Sequence, residues 1–271
     1  MRCAVLGDPI AHSLSPVLHR AGYAALGLDW TYDALRVGED ALAEVVAGLG
    51  AEWRGLSLTM PLKRRALALA PTVSDRARLT GAANTLLLEG GSAVLADNTD
   101  LPGAVAAVRE RYDGPVRAGT VLGGGATAAS TGLALCDLGA TSVRLLARAP
   151  ERAADTVAAI AAHPSRPRVE VLPLDAEVVG EVVVSTVPAA AQDERLVARC
   201  ADVPVVFEVR YEPWPTPLAA SVGSDRVLVG GLDLLVHQAV LQFELFTGAV
   251  APLAAMRAAG ESELARRRAT G

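Results

Sequence analysis

The sequence predicts an α/β protein in two parts, the second of them a dinucleotide-binding fold. Three observations predict it. Short β-like runs alternate with helical runs along the chain. The strands of the second half, such as EVVVSTV (181–187), are near-continuous apolar runs, as in parallel sheets covered on both faces. VLGGGATAAS (121–130) sets a glycine turn between a strand and a helix start. With 271 residues, 51% hydrophobic and 20% charged, the chain is globular in composition and has room for two medium domains.

The elements follow in order. RCAVLG (2–7) reads as a strand. The helix after it takes Ser15 as N-cap, Pro16 as first helical residue and Gly27 as its stop. WTYDALRV (30–37) and WRGLSLT (53–59) read as strands around a helix at 39–49. PLKRRALALA (61–70) reads as a short helix with Lys63 in its first turn, and 84–98 as a hairpin turning at Gly90–Gly91. Asp100 can cap a helix over 101–112. The punctuation changes at DGPVRAGTVLGGGA (113–126), which marks a domain boundary. Beyond it come a strand (119–122), a helix (126–138), a strand (142–148), a helix (150–162) and strands at 168–174, 181–187, 204–209 and 226–230. Two helices close the chain, free to pack on either part.

A net charge of −5 suggests neither a nucleic-acid nor an anionic-membrane partner. The basic ARRRA (265–269) reads as a solvated helix end. Cys3, Cys136 and Cys200 are widely spaced and form no metal or disulfide pattern, so no metal is expected. No signal peptide or apolar span is legible, and a cytoplasmic protein is expected.

Candidate chemistry begins with Lys63, the only lysine among 25 basic residues. Arginine stays charged, whereas a lysine can give and take a proton, so a lone lysine is a candidate acid–base group. A surface lysine left by drift is the plain alternative. In the glycine turn, Gly123 permits the tight bend and Gly125 the approach of a pyrophosphate to the helix N-terminus, with Ala128 as the third small residue. Arg148 and Arg152 stand after the next strand, where a 2′-phosphate needs cations and an NAD binder would place a carboxylate, so NADP is expected. Ser13, Ser15, Ser57, Thr59, Asn84, Asn98 and Asp100 fall at element edges, a polar rim suited to a polyhydroxylated acid. His12 and His19 read as loop and helix-surface residues.

Seven motifs in order then carry a family resemblance: GDPIAHSLSPVLH (7–19), SLTMPLK (57–63), GAANT (81–85), DNTDLPG (97–103), LGGGAT (122–127), YEPWPTPL (211–218) and GLDLLVHQA (231–239). The chain resembles the shikimate dehydrogenases, oxidoreductases of aromatic amino-acid biosynthesis, nearly end to end. The resemblance implies a substrate domain (1–103), a Rossmann NADP domain (104–236) and C-terminal helices (237–271) returning to the first. It implies reversible reduction of 3-dehydroshikimate to shikimate, with Lys63 and Asp100 as the catalytic pair. Ser13, Ser15, Ser57, Thr59, Asn84, Tyr211 and Gln238 would then lie at the substrate. Gly123, Gly124, Gly125, Ala126, Thr127, Arg148, Arg152, Thr186, Val187, Gly231 and Leu234 would lie at NADP. A monomer or homodimer is expected. Four departures from the family pattern weaken single contacts: Ser57 for the commoner Asn, Ala126 for a Gly, STVPA after strand 181–187 for Asn-Ala-Thr, and Leu234 for a Met. Quinate or aminoshikimate dehydrogenases of the same superfamily stay open as alternatives, as does a non-catalytic NADP-binding regulator.

Overall fold

The computed structural model describes residues 1–270. The chain divides into two compact units, Met1–Thr99 with Leu235–Gly271, and Asp100–Leu234. The first contains β1 (Arg2–Gly7), α1 (Ser15–Ala25), β2 (Thr31–Arg36), α2 (Leu42–Ala47), β3 (Trp53–Leu58), β4 (Thr72–Val73), α3 (Asp75–Thr80), β5 (Thr85–Glu89) and β6 (Ser92–Asp97). The strands form one sheet in the order β2-β1-β3-β5-β6-β4. β1 runs parallel to both neighbours, whereas β5 is antiparallel to β3 and β6. The β5–β6 turn holds Gly90 at φ 58° and Gly91 at φ 83°, a left-handed pair that a side chain would strain. A core of Leu6, Leu42, Val46, Trp53, Leu56, Leu62 and Leu86 gathers under the strands.

The second unit opens with α4 (Asp100–Arg111), followed by β7 (Ala118–Leu122), α5 (Ala126–Asp137), β8 (Ser142–Ala147), α6 (Ala154–Ala161), β9 (Arg168–Pro173), β10 (Val182–Ser185), α7 (Glu194–Arg199), β11 (Val205–Glu208), α8 (Pro217–Ala220) and β12 (Val227–Val229). All six strands are parallel, in the order β12-β11-β10-β7-β8-β9. This is the doubly wound order of a Rossmann fold, with its reversal between β7 and β10. α9 (Gly231–Thr247) and α10 (Leu253–Thr270) complete the chain. From Leu235 onward they belong to the first unit. There α9 crosses β3 so closely that a Cβ on Gly55 would lie 2.1 Å from the Phe246 ring. A Cβ on Gly22 of α1 would lie 2.7 Å from Phe243 of α9 and 3.3 Å from Met256 of α10. Arg267, in the last turns of α10, donates to the His12 carbonyl at 2.8 Å, and with Arg266 it pairs with Glu263, so two of these three arginines are engaged by the fold.

Several local expectations give way. Ser15 is the first helical residue of α1, not its cap. Leu14 holds the N-cap position, and the Ser15 N–H donates to Ser13 Oγ at 3.3 Å. His19 is fully buried, not on the helix surface. The buried face of α1 is Ser15, Leu18, His19, Gly22 and Tyr23, the three-and-four spacing of a core-facing stripe. Position on the helix overrode the polarity of the imidazole. Lys63 lies in a turn over 60–64 that leads into one 3-10 helix, Arg65–Leu69. Its carbonyl accepts from the Ala83 N–H at 2.8 Å, a tertiary bond that takes it out of any helical ladder. Asp100 begins α4 itself. The helix expected at 150–162 is a 3-10 turn, Pro150–Ala153, followed by α6. The helix expected at 39–49 contracts to α2. β4, α3, α7 and α8 were not legible as elements.

Asp97, at the end of β6, is buried and receives four donors. Ser74 Oγ reaches its Oδ1 at 2.5 Å, Arg76 Nε at 2.7 Å and the Asn98 N–H at 2.8 Å, while Arg76 Nη2 holds Oδ2. Ser74 also caps α3, accepting from the Ala77 N–H at 3.1 Å. Burial alone would raise the Asp97 pKa, but Arg76 and Ser74 overcome it and hold the carboxyl below its ordinary range. A carboxyl depressed in the folded state adds stability above its unfolded pKa, and that stability is lost as pH falls through the folded value. Asp97→Asn is therefore expected to cost about 2–3 kcal/mol near neutral pH, less than a fully buried pair because Arg76 is partly solvated. In urea unfolding the deficit against the native chain should shrink below about pH 4. A deficit that stays constant to pH 2 would remove the carboxylate from the account.

Candidate functional site

In the first unit three distant segments converge on Asn84, which stands just before β5 and is only 2% exposed. The Thr99 main-chain N–H donates to Asn84 Oδ1 at 2.8 Å. A main-chain amide can only donate, so this bond fixes which end of the carboxamide is oxygen. Asn84 Nδ2 then donates to Thr99 Oγ1 at 2.9 Å and to Gln238 Oε1 of α9 at 3.3 Å. Asn84 and Gln238, both singled out in the sequence, thus meet. Thr99 joins them, and Asp100 follows it directly at the buried first position of α4, where the helix dipole favours a carboxylate.

A second polar cluster lies behind Asn84. Gln242, one turn beyond Gln238 on α9, donates from Nε2 to the Asn84 carbonyl at 3.0 Å and to Thr85 Oγ1 at 2.9 Å. Thr85 Oγ1 passes a hydrogen to Asn84 Oδ1 at 2.8 Å. On the other side, Ser57 Oγ donates to Gln242 Oε1 at 2.7 Å and accepts from the Tyr32 phenol at 2.5 Å. Ser57, expected at the substrate, is buried and spends its hydroxyl inside this cluster. His19 stacks on Tyr32 at 4.2 Å with its ring nitrogens outside hydrogen-bonding geometry, and burial pushes its pKa down to about 3. It is a neutral packing group at working pH.

Thr59 and Lys63 occupy the segment after β3. The Thr59 N–H donates to the Leu6 carbonyl at 2.9 Å, and a Cβ on Gly7 would strike Thr59 Cγ2 at 2.3 Å. Gly7 is thus the small residue that lets this segment close on β1. Lys63 is half-buried, next to the fully buried Leu62.

In the second unit the glycine turn leaves β7 at the strand-order reversal. Gly123 has φ 120°, and a Cβ there would lie 2.1 Å from Thr186 Oγ1, which itself donates to the Leu122 carbonyl at 2.8 Å. The turns after β7 and β10, with Thr186 and Val187, are thus packed against each other. A Cβ on Gly124 would meet Ala153 at 2.9 Å, but one on Gly125 would meet nothing within 4 Å. Gly125 is the N-cap of α5, which carries no side-chain cap and no acidic residue in its first turn, formed by Ala126 and Thr127 onward. Open space before uncapped amides is what a pyrophosphate requires, so these residues fit a dinucleotide. Arg148 and Arg152 are exposed, and among the described residues neither is held in an ion pair. Tyr211 is half-buried in the loop after β11. That loop is anchored by the buried Glu208, which accepts from Gln192 at 2.6 Å, Thr216 at 2.9 Å and the Arg210 N–H at 3.0 Å. Burial raises the Glu208 pKa against the pull of these bonds. Gly231 admits no side chain, since a Cβ would lie 2.5 Å from the Val209 carbonyl oxygen, and Leu234 is buried three residues on.

Thr99, Gln242, Tyr32 and Glu208 were not singled out in the sequence. Gln242 had one signal: it falls four residues after Gln238, on the same helix face. Among the described residues no group of three or more His, Cys, Asp or Glu could hold a metal, and no helix is long and apolar enough to cross a membrane.

Comparisons with known proteins fit this geometry. The family described as "Shikimate dehydrogenase substrate binding domain" matches residues 5–86, and "Shikimate 5'-dehydrogenase C-terminal domain" matches residues 231–259. A shikimate dehydrogenase (NADP(+)) of Caulobacter vibrioides is 34% identical over 255 residues, covering 90% of this chain and 88% of the relative. The crystal structure of Mycobacterium tuberculosis shikimate dehydrogenase superposes with a TM-score of 0.86 at 41% identity, over 96% of this chain and 99% of that one. Shikimate 5-dehydrogenase from Thermus thermophilus, in complex with NADP(H) and shikimate, has a TM-score of 0.81 at 28% identity, over 97% and 99% of the two chains.

The glycine turn separates folding from binding. Gly123→Ala should cost about 2 kcal/mol or more in urea unfolding, from its positive φ and the clash with Thr186. Gly125→Ala should unfold within about 0.5 kcal/mol of the native chain yet weaken NADPH binding by about tenfold or more, measured by fluorescence titration. Undiminished binding in Gly125→Ala would place the pyrophosphate elsewhere.

Proposed function

The chain belongs to the shikimate dehydrogenase family, and on that footing we propose that it catalyses the NADP-dependent, reversible reduction of 3-dehydroshikimate to shikimate. The observation that carries this reading is the meeting of Asn84, Thr99 and Gln238 immediately before Asp100. Side-chain amides and hydroxyls drawn together from three segments offer donors and acceptors suited to a ring edged with hydroxyls.

Reducing a ketone puts a hydride on carbon and a proton on oxygen. NADPH, when bound, supplies the hydride. The Lys63 ammonium gives the proton to the ketone oxygen as it becomes a hydroxyl, and the neutral amine takes it back in the reverse direction. Asp100 accepts a hydrogen bond from a substrate hydroxyl and orients the ammonium. Ser13, Ser15, Thr59, Asn84, Tyr211 and Gln238 hold the carboxylate and remaining hydroxyls. The turn 123–127, with Thr186, Val187, Gly231 and Leu234, receives the dinucleotide, and Arg148 and Arg152 its 2′-phosphate. Their freedom from internal ion pairs supports that assignment, because a guanidinium already spent on a carboxylate has less to offer a phosphate.

The assay is NADP⁺ reduction with shikimate, followed by absorbance. Lys63→Ala should lower kcat by about 10²–10⁴-fold with little change in shikimate KM. Lys63→Arg should be nearly as poor, since a guanidinium does not release its proton. Near-normal turnover of Lys63→Arg would end the proton-donor role. Replacing Arg148 and Arg152 together by Ala should weaken NADP⁺ by about 10²-fold and leave NAD⁺ nearly unchanged. An equal loss for both cofactors would show that the arginines do not read the phosphate.

A further inference from the structure

We propose that Gln242 is a positioning residue for the substrate site, and that with Tyr32, Ser57 and Thr85 it forms a one-directional hydrogen-bond relay that fixes the Asn84 carboxamide. The inference rests on the assignment of Asn84 to the substrate site.

The direction of the relay follows from main-chain groups. The Asn84 carbonyl can only accept, so the end of the Gln242 carboxamide that meets it at 3.0 Å is the NH2 group. The other hydrogen of that group goes to Thr85 Oγ1 at 2.9 Å. Gln242 Oε1 then faces Ser57 and accepts its hydrogen at 2.7 Å. Ser57 has one hydrogen, so toward Tyr32 it can only accept, at 2.5 Å. Thr85, having received from Gln242, passes its own hydrogen to Asn84 Oδ1 at 2.8 Å. The hydrogens thus run Tyr32 to Ser57 to Gln242 to Thr85 to Asn84, and each hydroxyl on the way both gives and takes. Asn84 is gripped twice by one side chain, at its main chain directly and at its carboxamide through Thr85.

The relay is anchored on rigid elements. Ser57 lies on β3, Tyr32 on β2, Thr85 on β5 and Gln242 on α9, and all four are buried. The Tyr32 ring is held in place by the stacked His19. A side chain shifting in this layer would move the Asn84 amide, and a displacement of a fraction of an ångström weakens directed hydrogen bonds. The buried relay leaves no group free to hydrogen-bond with water in compensation, so losing one member strands the next. This also accounts for Ser57 where relatives commonly carry Asn: a single hydroxyl is what Tyr32 and Gln242 can share.

The test compares kinetics of the intact chain and three variants. Gln242→Met keeps the volume and removes both donations. Ser57→Ala and Tyr32→Phe each remove one oxygen. Gln242→Met should raise the shikimate KM by about 3–10-fold with the NADP⁺ KM within about twofold, and the other two variants should raise it by about 2–5-fold. A merely structural role would lower the unfolding temperature while leaving the shikimate KM unmoved, and that result overturns the proposal. So does a parallel rise of both KM values. Should Gln242→Met not fold, the two single-oxygen variants decide in the same way. If the native chain does not oxidise shikimate at all, the functional reading fails. If the native chain turns over and the variants match it, the relay alone fails.

Discussion

The first unit is organised around the need to satisfy one buried carboxamide. Gln242 sits where α9 crosses the sheet, buried like Phe243 and Phe246 of the same helix, and a glycine at position 55 lets that helix come close. At that depth an amide without partners costs about 1–3 kcal/mol, so its four bonding positions dictate what surrounds it. Ser57 of β3, Thr85 of β5 and the Asn84 main-chain carbonyl supply the partners, and Tyr32 of β2 donates to Ser57 in turn. The result is a polar seam through an otherwise apolar layer, and it ends at Asn84. A seam of this kind adds little net stability over apolar packing, but it admits one arrangement of strands and helix and so specifies register.

The second unit solves a different problem with smaller residues. Its turn after β7 must bend sharply, pack against the turn after β10 and still present bare amides. Three consecutive glycines divide these tasks. Gly123 takes the backbone conformation and the contact with Thr186, Gly124 the contact with Ala153, and Gly125 leaves space in front of α5. The strand-order reversal brings the two turns side by side, which is why Thr186, 63 residues after Gly123, belongs to the same feature.

A chain that uses arginine at 24 of 25 basic positions binds its fixed charges where permanence is useful. Arg76 clamps Asp97, Arg111 pairs with Asp233 at the start of α9, and Arg144 bridges to Glu170. Each presents a planar guanidinium, a cation with several fixed donors, to a carboxylate. Lys63 stands apart in kind and in place, on an irregular turn and not on a regular element.

Much of this was determined by the sequence alone. Near-continuous apolar strands and a glycine turn between strand and helix are local patterns, and local patterns survive without the fold. That the second unit holds a parallel sheet was legible from strand–helix alternation, whereas its strand order was not. What only the tertiary structure decided were the partners of buried polar groups. Ser57 lies in a motif expected at the substrate, but Tyr32 of β2 and Gln242 of α9 bond its hydroxyl. His19 looked like a surface residue because imidazole is polar, but the stripe of α1 carries it beneath Tyr32. Thr99 and Gln242 carried no signal of their own beyond their nearness to named residues. A hydrogen bond between residues 57 and 242 joins positions 185 apart. No window of sequence holds both, and only the close crossing of α9 over β3 makes them neighbours.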